Sequence, residues 1–497
     1  MDPITSLIYL SSGLFLGWSL GANDASNVWG SAVASRMVRF STAAFLCSLF
    51  VVIGAVTAGA GASAGLGQLG AVNALAGGFT TALAAAITVF WMTRLGLPVS
   101  STQAVVGAII GWNWFSGSIT DLNELARIVG TWVFCPLLAA LFAAFLHVCA
   151  VGWIRWRRPH LLRLDANLRT GLILAGIFGS YSLGANNIGN VMGVFTDSSP
   201  FHTVLLPGGV GFSGVQQLFA LGACAIAVGV YTYSRKVMLT VGGSLMTFSP
   251  LGALVVVLAN SLVLFVFSST ALSRTLVHWG LPPIPLIPVS SSQAVVGAVI
   301  GIGLLQGGRG VRQIRWAVLA RIASGWVTTP VCAALIGFLL LFVVQNVFNQ
   351  EVFRPVSFQL SQPVLEHLQA RGVPTEALRP QALPLPSAVA FRRHLRQEVQ
   401  LPPAQEAAVL EAAEILPLRV EAAPLRQLDR QRFSPPQLEA LRRLEGRSFR
   451  HGWQLREALE RESSAWAPGS GNAARLKGQF ATLERLFRLP SPPPSSP

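Results

Sequence analysis

The feature that most constrains the fold is a pair of polar motifs that occurs twice, each time within long apolar runs. "SLGANDASNVWG" at 19–30 recurs as "SLGANNIGNVMG" at 182–193, and we name these the GAN motifs. "PVSSTQAVVGAIIG" at 98–111 recurs as "PVSSSQAVVGAVIG" at 288–301, with 12 of 14 residues identical, and we name these the serine motifs. Because both pairs keep their order along the chain, the sequence predicts two structurally related halves.

The composition is typical of a polytopic membrane protein. Of the 497 residues, 52% are hydrophobic and 11% are charged, whereas soluble proteins carry about 25% charged residues. Arginines raise the pI to 11.1, but they lie between apolar runs or in the C-terminal tail. Because they are not gathered on one soluble face, nucleic acid is not an expected partner. The expected location is a multi-pass position in the cell membrane, plasma or inner, with the lipid bilayer as a partner.

Basic residues in the loops predict that the two halves cross the membrane in opposite senses. "SRMVRF" follows the first GAN motif, whereas a basic segment precedes the second. Lys and Arg collect on the cytoplasmic side, so the first GAN helix should run inward and the second outward. This is the pattern of inverted-topology repeats. The predicted domains are a first membrane repeat, a basic cytoplasmic linker, an inverted second membrane repeat and a soluble tail that is mostly helical and partly disordered, at 1–154, 155–169, 170–347 and 348–497.

Five apolar segments are predicted in each half, and a serine motif breaks the fourth segment of each. The predicted segments lie at 7–34, 41–60, 71–93, 95–115, 125–150, 170–195, 211–233, 237–271, 283–305 and 316–347. The predicted fold is therefore an all-α polytopic membrane protein with discontinuous helices. The sequence leaves open whether the broken segments cross fully or form hairpins. It also leaves open the side of the tail and the oligomeric state, a homo-oligomer included.

The serine motifs have the pattern of helix starts placed within the membrane. In the first copy Pro98 precedes a polar run, which can cap the apolar helix that follows. A helix N-terminus offers free N–H groups and a positive dipole end, which suit an anion and above all a tetrahedral oxyanion. Since the inverted copy would face the first, we predict one anion site formed by Ser100, Ser101, Thr102, Gln103, Ser290, Ser291, Ser292 and Gln293.

The GAN motifs supply the groups expected of a cation site. A carboxylate inside a membrane is costly, so Asp24 is interpreted as functional. Its oxygens, the neighbouring amides and the carbonyls exposed by glycines fit a small hard cation such as Na⁺, and a protonatable carboxylate fits H⁺ equally well. An anion site beside a cation site between inverted repeats predicts a coupled secondary transporter. No cofactor is expected apart from the coupling ion.

Other interpretations exist for each feature taken alone. A Ser/Thr run in a transmembrane helix often serves helix packing, but its duplication in register favours function. An ion channel built on the broken helices is a second functional class, and its uptake would follow the gradient of the anion itself. An enzyme is not expected, because no His, Cys or acidic cluster accompanies Asp24 in the first 350 residues. Arg94 has no counterpart in the second half and is interpreted as an interfacial residue.

These motifs resemble the signatures of the inorganic phosphate transporter (PiT) family, over roughly residues 5–345. Members carry duplicated GAND-type and duplicated P-[VI]-S-[ST]-T-H-type signatures. The resemblance implies a Na⁺- or H⁺-coupled phosphate symporter with inverted repeats and a substrate site near the midplane. By motif position it implies anion binding by Asn23 and Asn186, and a coupling cation, with Na⁺ as the metal, at Asp24, Asn27, Asn187 and Asn190.

The chain departs from the family pattern at positions that affect ion and substrate choice. Asn187 replaces the acid of the second GAN motif, Gln103 and Gln293 stand where the family has His, and Ser292 is the third hydroxyl of the second serine motif. One carboxylate fewer lowers the negative charge available for Na⁺. It also removes an acceptor for the O–H of hydrogen phosphate, so discrimination against sulfate should be weaker. Inorganic phosphate is the predicted substrate, and sulfate is the alternative within the same fold.

The tail has a soluble composition rich in Arg, Glu, Pro and Leu. Residues 403–416 and 434–446 are predicted to form short amphipathic helices, the second beginning at Ser434 and its prolines. The final "LPSPPPSSP" is predicted to be disordered. The tail carries no pattern of a phosphate loop, metal site or catalytic cluster, so a regulatory module and an inert extension both stay open.

Overall fold

The protein is described by a computed structural model, and its described residues form two compact units. They are 3–70, 72–94, 99–196, 198–201, 204–205, 211–241, 249–307, 312, 316–376, 378–422, 425, 428, 433–468 and 473–489. The first unit, here the membrane unit, comprises Met1–Phe115, Thr120–Phe201 and Ser213–Val352. The second, here the tail unit, comprises Ser116–Ile119, His202–Phe212 and Phe353–Pro497.

The membrane unit is helical, as expected of apolar runs that must satisfy their backbone groups internally. Its first half contains α1 Pro3–Ala34, α2 Phe40–Leu69, α3 Leu75–Arg94, α4 Ser101–Ser116 and α5 Leu122–Arg157. Its second half contains α6 Leu161–Met192, a 3₁₀ turn Gly193–Phe195, α7 Gly214–Thr232, α8 Ser234–Val241, α9 Pro250–Ser268, α10 Thr270–His278, α11 Ser291–Leu305 and α12 Trp316–Asn346. Seven helices of the described residues are long and apolar enough to cross a membrane: α1, α2, α3, α5, α7, α9 and α12.

Each broken segment contributes one short helix that begins at a serine motif. Helix α4 has 16 residues and α11 has 15, so each is about 22–24 Å long, which is less than the roughly 30 Å of a hydrocarbon core. Each half therefore has five main helices, with α6, α7, α9, α11 and α12 corresponding to α1–α5. The same order of helices in both halves is consistent with a structural repeat. Pro98, the predicted helix breaker, lies outside the described residues.

Two predicted segments differ in the structure. The single segment predicted at 237–271 is wrong, because α8 ends at Val241 and α9 begins only at Pro250, where the Ser249 side chain accepts a hydrogen bond from the Gly252 N–H. The basic linker predicted at 155–169 is largely helical. Helix α5 continues to Arg157 and α6 begins at Leu161, so three residues separate the two helices.

The two halves interlock through glycines that touch backbone of the other half. A Cβ added at Gly107 on α4 would lie 2.1 Å from the carbonyl oxygen of Pro330 on α12. Its counterpart Gly297 on α11 would place a Cβ 2.0 Å from the carbonyl oxygen of Pro136 on α5. Glycines of α1 and α7, and of α2 and α6, approach the backbone of the partner helix equally closely. Each half therefore completes the packing of the other. This reciprocity is consistent with the predicted pair of repeats and holds α4 and α11 in fixed positions.

We expect Gly297→Ala to destabilise the membrane unit by about 3 kcal/mol or more, because the Pro136 backbone cannot move away as a flexible side chain would. The measurement is the thermal unfolding midpoint of the purified protein in detergent. Gly130→Ala on α5 is the matched control, since nothing lies within 4 Å of a Cβ built there. It should unfold at the wild-type temperature or slightly above, given the higher helix propensity of Ala. Equal midpoints for both variants would contradict the interlocked packing.

The tail unit is folded around two hydrophobic cores, which the sequence analysis did not predict. One core is centred on Phe358 and Phe391, the other on Phe433 and Trp466. Its helices are α13 Gln362–Ala370, α14 Ala388–Glu398, α15 Pro403–Ala413, α16 Pro435–Arg443, α17 Gly452–Glu462 and α18 Ala473–Phe487, with a 3₁₀ turn at Ser464–Trp466. Strand β1 Val204–Leu205 pairs with β2 Gly211–Phe212, and β3 Leu418–Arg419 pairs with β4 Ser448–Phe449, both antiparallel.

Two sequence predictions for the tail concern its helices and its last residues. The helices predicted at 403–416 and 434–446 are confirmed, with Ser434 forming a capping box at the start of α16. The disordered end predicted from residue 489 falls almost wholly on 490–497, which lie outside the described residues.

We expect acid to loosen the tail unit. Burial lowers the pKa of His367 and of His451 below 6.5. Burial raises the pKa of Glu406, but hydrogen bonds and charges from Arg396 and Arg392 outweigh it, so this pKa lies below 4.5. In all three cases the unfolded chain binds more protons, so these groups lower stability as pH drops below about 6.5 and further below about 4.5. Burial raises the pKa of Glu414 above 4.5, so this one carboxyl opposes the trend. Hydrogen exchange of tail peptides in the full chain, corrected for intrinsic rates, should show less protection at pH 5 than at pH 7.5. Unchanged protection would contradict this account.

Candidate functional site

The two serine motifs form the same local structure at the starts of α4 and α11. The hydroxyl of Ser100 accepts a hydrogen bond from the Gln103 N–H at 3.4 Å, and the hydroxyl of Ser290 accepts one from the Gln293 N–H at 3.4 Å. The other N–H groups of each first turn have no partner within their own helix. Their partial positive charge makes each start suited to an anion, as the sequence predicts.

Asparagines of each GAN motif donate to hydroxyls of the opposite half. The Asn27 amide on α1 donates to the Ser291 hydroxyl at 2.8 Å, although 264 residues separate them in sequence. The Asn190 amide on α6 donates to the Thr102 hydroxyl at 2.9 Å. The two halves are therefore joined at the motifs themselves. The Thr102 hydroxyl keeps its hydrogen for donation elsewhere, whereas the Ser291 hydroxyl also bonds to the Asp24 carboxylate.

Asp24 lies at the meeting point of the two GAN motifs and is 4% exposed. The Asn187 amide donates to one carboxylate oxygen at 2.9 Å, and the Asn23 amide lies 3.4 Å from the other. Within the described residues no Lys or Arg pairs with this carboxylate. A buried carboxylate whose donors are all neutral, here amides and the Ser291 hydroxyl, needs a positive charge nearby, either a bound cation or its own proton. The carboxylate and the amide oxygens of Asn23 and Asn27 are the groups that could hold that cation.

Asn186 on α6 forms hydrogen bonds with Val289, which lies two residues before the start of α11. Its amide donates to the Val289 carbonyl at 2.7 Å and to the Asn187 side-chain oxygen at 2.8 Å, while its own oxygen accepts from the Val289 N–H at 2.9 Å. All of its hydrogen-bonding groups are thus used within the protein. These bonds fix the segment that leads into α11, and the predicted contact between Asn186 and the anion stays a prediction.

The predicted site residues differ in exposure and in partners. Asn23, Asn27 and Ser292 are half-buried, whereas Ser100, Ser101, Thr102, Gln103, Asn186, Asn187, Asn190, Ser290, Ser291 and Gln293 are buried. The Ser290 and Ser292 hydroxyls lie 2.9 Å apart. Neither Gln103 nor Gln293 has a hydrogen-bond partner for either end of its amide among the described residues. Leaving such a buried group unpaired costs about 1–3 kcal/mol, so these two side chains need an explanation.

A pocket of about 40 Å³ beside Asn23 includes a residue that the sequence analysis set aside. It is lined by α1, α3, α8 and the Tyr233 junction, and Arg94 at the end of α3 is one of the lining residues. The Arg94 guanidinium lies 5.0 Å from the centre of the Phe90 ring. Arg94 therefore places a positive charge in the pocket that reaches Asn23, the neighbour of Asp24. No repeat signal marks it, because the second half has no equivalent residue.

Comparison with known proteins agrees with this geometry. The profile of the phosphate transporter family matches residues 20–168, 156–337 and 279–377. A "Putative phosphate permease" of Methanocaldococcus jannaschii is 27% identical over 66% of this chain and 93% of its own length. A sulfate permease of Bacillus subtilis is also 27% identical, over 70% of this chain and 90% of its own length.

One solved structure has the same fold. A chain described as "The sodium-dependent phosphate transporter" matches with a TM-score of 0.52 and 20% identity, covering 69% of this chain and 99% of that chain. The family profile extends over both serine motifs, over the second GAN motif and over residues 20–30 of the first. The chain is a multi-pass integral membrane protein and belongs to the phosphate transporter family.

Proposed function

We propose that the protein imports inorganic phosphate together with Na⁺ or H⁺, holding the anion between the first turns of α4 and α11. The observation that carries this proposal is the set of hydrogen bonds between opposite halves: Asn27 to Ser291, Asn190 to Thr102 and Asn187 to Asp24. They link two helix starts and one carboxylate through hydrogen-bonded side chains of α1 and α6, which supports a shared site. The name of the solved structure with this fold supports Na⁺ as the coupling ion.

The anion would be held by neutral donors. Hydroxyls at the two helix starts and the free N–H groups of both first turns converge from opposite halves, and they favour a negative charge without a basic side chain in the site. The proposed ligands are Ser100, Ser101, Thr102, Gln103, Ser290, Ser291, Ser292 and Gln293, with Asn23 alongside. Neutral donors also let the anion leave, since no full countercharge has to be separated from it.

Coupling would follow from the charge of Asp24. A carboxylate close to the anion site repels the anion, so the anion binds weakly while Asp24 is ionised and alone. A Na⁺ or H⁺ bound there removes the repulsion, and by linkage the anion strengthens cation binding to the same degree. Asn27 bonds directly to Ser291 at the start of α11, so the cation and anion sites share one hydrogen-bonded group. Asn187 and Asn190 would complete the cation side.

Sulfate is the second candidate. One relative of this chain is a sulfate permease, and the second GAN motif offers Asn187 in place of a carboxylate acceptor. Sulfate accepts hydrogen bonds and donates none, so a site made largely of donors can also hold it. The cation-coupled mechanism would be unchanged.

The test is uptake of radiolabelled phosphate by proteoliposomes, with unlabelled sulfate as competitor, under imposed Na⁺ or H⁺ gradients. The proposal predicts accumulation of phosphate above its equilibrium level only while one cation gradient is present. Uptake that follows the phosphate gradient alone would indicate a channel. Accumulation of sulfate without phosphate would establish the second candidate, and the absence of both would contradict transport of these anions.

A further inference from the structure

We propose that Gln103 and Gln293 make the site selective for oxyanions that still carry a proton, such as hydrogen phosphate, over fully deprotonated ones such as sulfate. This inference rests on the proposed function and assigns the chemical class of its substrate. The two glutamines occupy equivalent positions, each the last polar residue of its serine motif and within the first turn of α4 or α11. Any property that the two side chains share therefore occurs once in each half of the proposed anion site.

Both glutamines are fully buried and neither has a protein partner for its oxygen or its nitrogen within the described part of the chain. Two other fully buried glutamines of the described residues are paired. In the tail unit, Gln437 and Gln479 are each 1% exposed and exchange two amide hydrogen bonds, of 3.0 and 3.2 Å. Asn260 on α9 is a third described amide with both ends unpaired, but it lies outside the serine motifs and has no duplicate in them.

The surrounding groups already supply donors. The Thr102 hydroxyl accepts from Asn190, which leaves its hydrogen free to donate to a ligand. The free N–H groups of two helix starts can only donate. A ligand that itself carries an O–H also needs an acceptor. The side-chain oxygens of Gln103 and Gln293, in the first turns of the same two helices, and of Asn190 are acceptors without a partner among the described residues.

A carboxamide matches a protonated oxyanion at two points. Its N–H₂ can donate to a phosphate oxygen while its carbonyl accepts the neighbouring P–O–H, a paired arrangement that satisfies both ends of the amide. Phosphate keeps at least one such O–H at neutral pH, as arsenate does, whereas sulfate and selenate keep none. Bound sulfate would leave the glutamine oxygens unpaired, and a buried acceptor without a partner is an effective basis for rejection. Compared with the family signature, Asn187 replaces a carboxylate acceptor in the second GAN motif. Gln103 and Gln293 provide acceptor oxygens in the serine motifs.

The experiment compares wild type with Gln103→Met and Gln293→Met, which keep side-chain length and remove the amide. In proteoliposomes, the half-saturating phosphate concentration and the inhibition constants of arsenate, sulfate and selenate are measured. For wild type, arsenate should compete nearly as well as phosphate, with sulfate and selenate weaker by about tenfold or more. Each Met variant should raise the phosphate value by about tenfold and change the sulfate constant much less. Gln103→His, which keeps one donor and one acceptor, should retain the preference and serves if a Met variant folds poorly.

The outcomes separate this inference from the proposed function. Equal losses of phosphate and sulfate in the Met variants would mean that the glutamines do not select, and the inference would be wrong while transport stands. A wild type that prefers sulfate would also overturn it. If the wild type neither binds nor carries any of the four anions, the proposed function itself fails.

Discussion

Replacing Asp24 by asparagine should abolish cation-driven uptake, with a loss of about two orders of magnitude or more. The variant keeps the shape of the side chain and removes the carboxylate charge at the place where the two GAN motifs meet. Without that charge Na⁺ or H⁺ does not bind at this position, so a cation gradient cannot drive uptake. The anion can then at most equilibrate across the membrane. Driven and equilibrative uptake measured in the same vesicles separate these two effects. Wild-type driven uptake by this variant would contradict the assignment.

An exchange variant provides the control for folding and for position. Asp24→Asn combined with Asn187→Asp keeps one carboxylate and one amide at the same contact, now with the charge on α6. If the pair binds the cation as a unit, the exchange should recover part of the driven uptake that Asp24→Asn alone lacks. If the exchange variant folds but does not recover driven uptake, coupling requires the carboxylate to lie on α1.

The combined variant Thr102→Val and Ser291→Ala is expected to weaken anion binding by roughly 100-fold, with each lost hydroxyl contributing about tenfold. These two hydroxyls are the ones that Asn190 and Asn27 hold from the opposite half. Losing both removes a donor at each helix start and also leaves two asparagines without acceptors. The half-saturating anion concentration should rise, while the dependence on the cation gradient stays.

Thr88→Val is the matched control for that experiment. Thr88 on α3 is 1% exposed, as Thr102 is, but its hydroxyl bonds to the Ala84 carbonyl within its own helix. The control should keep wild-type anion affinity, with at most a small change in stability. If Thr88→Val weakens the anion as much as the combined variant does, the loss reflects packing of the helices and the site assignment fails.

The repeat made much of this architecture predictable from sequence. A duplicated polar motif inside an apolar run points to a helix start, and α4 and α11 begin at Ser101 and Ser291 as expected. The signals for α15 and α16 in the tail are local as well: a proline at the first helical position and, for α16, a capping serine. Helix starts depend on residues that are close in sequence, so they could be predicted.

Contacts between residues far apart in the chain could not be predicted from sequence. Nothing in the sequence tells that Asn27 bonds Ser291 while Asn190 bonds Thr102, because such contacts join residues far apart in the chain. The same holds for the hydrogen bonds between Asn186 and Val289. The division between α8 and α9 and the two cores of the tail unit also depend on packing that periodicity does not encode.

The most direct test of the central claim is an experimental structure of the purified protein with phosphate and Na⁺ bound. The account predicts a tetrahedral anion within hydrogen-bonding distance of both Thr102 and Ser291, with the cation at the Asp24 carboxylate. An anion bound to one half alone, or a site distant from the starts of α4 and α11, would contradict it.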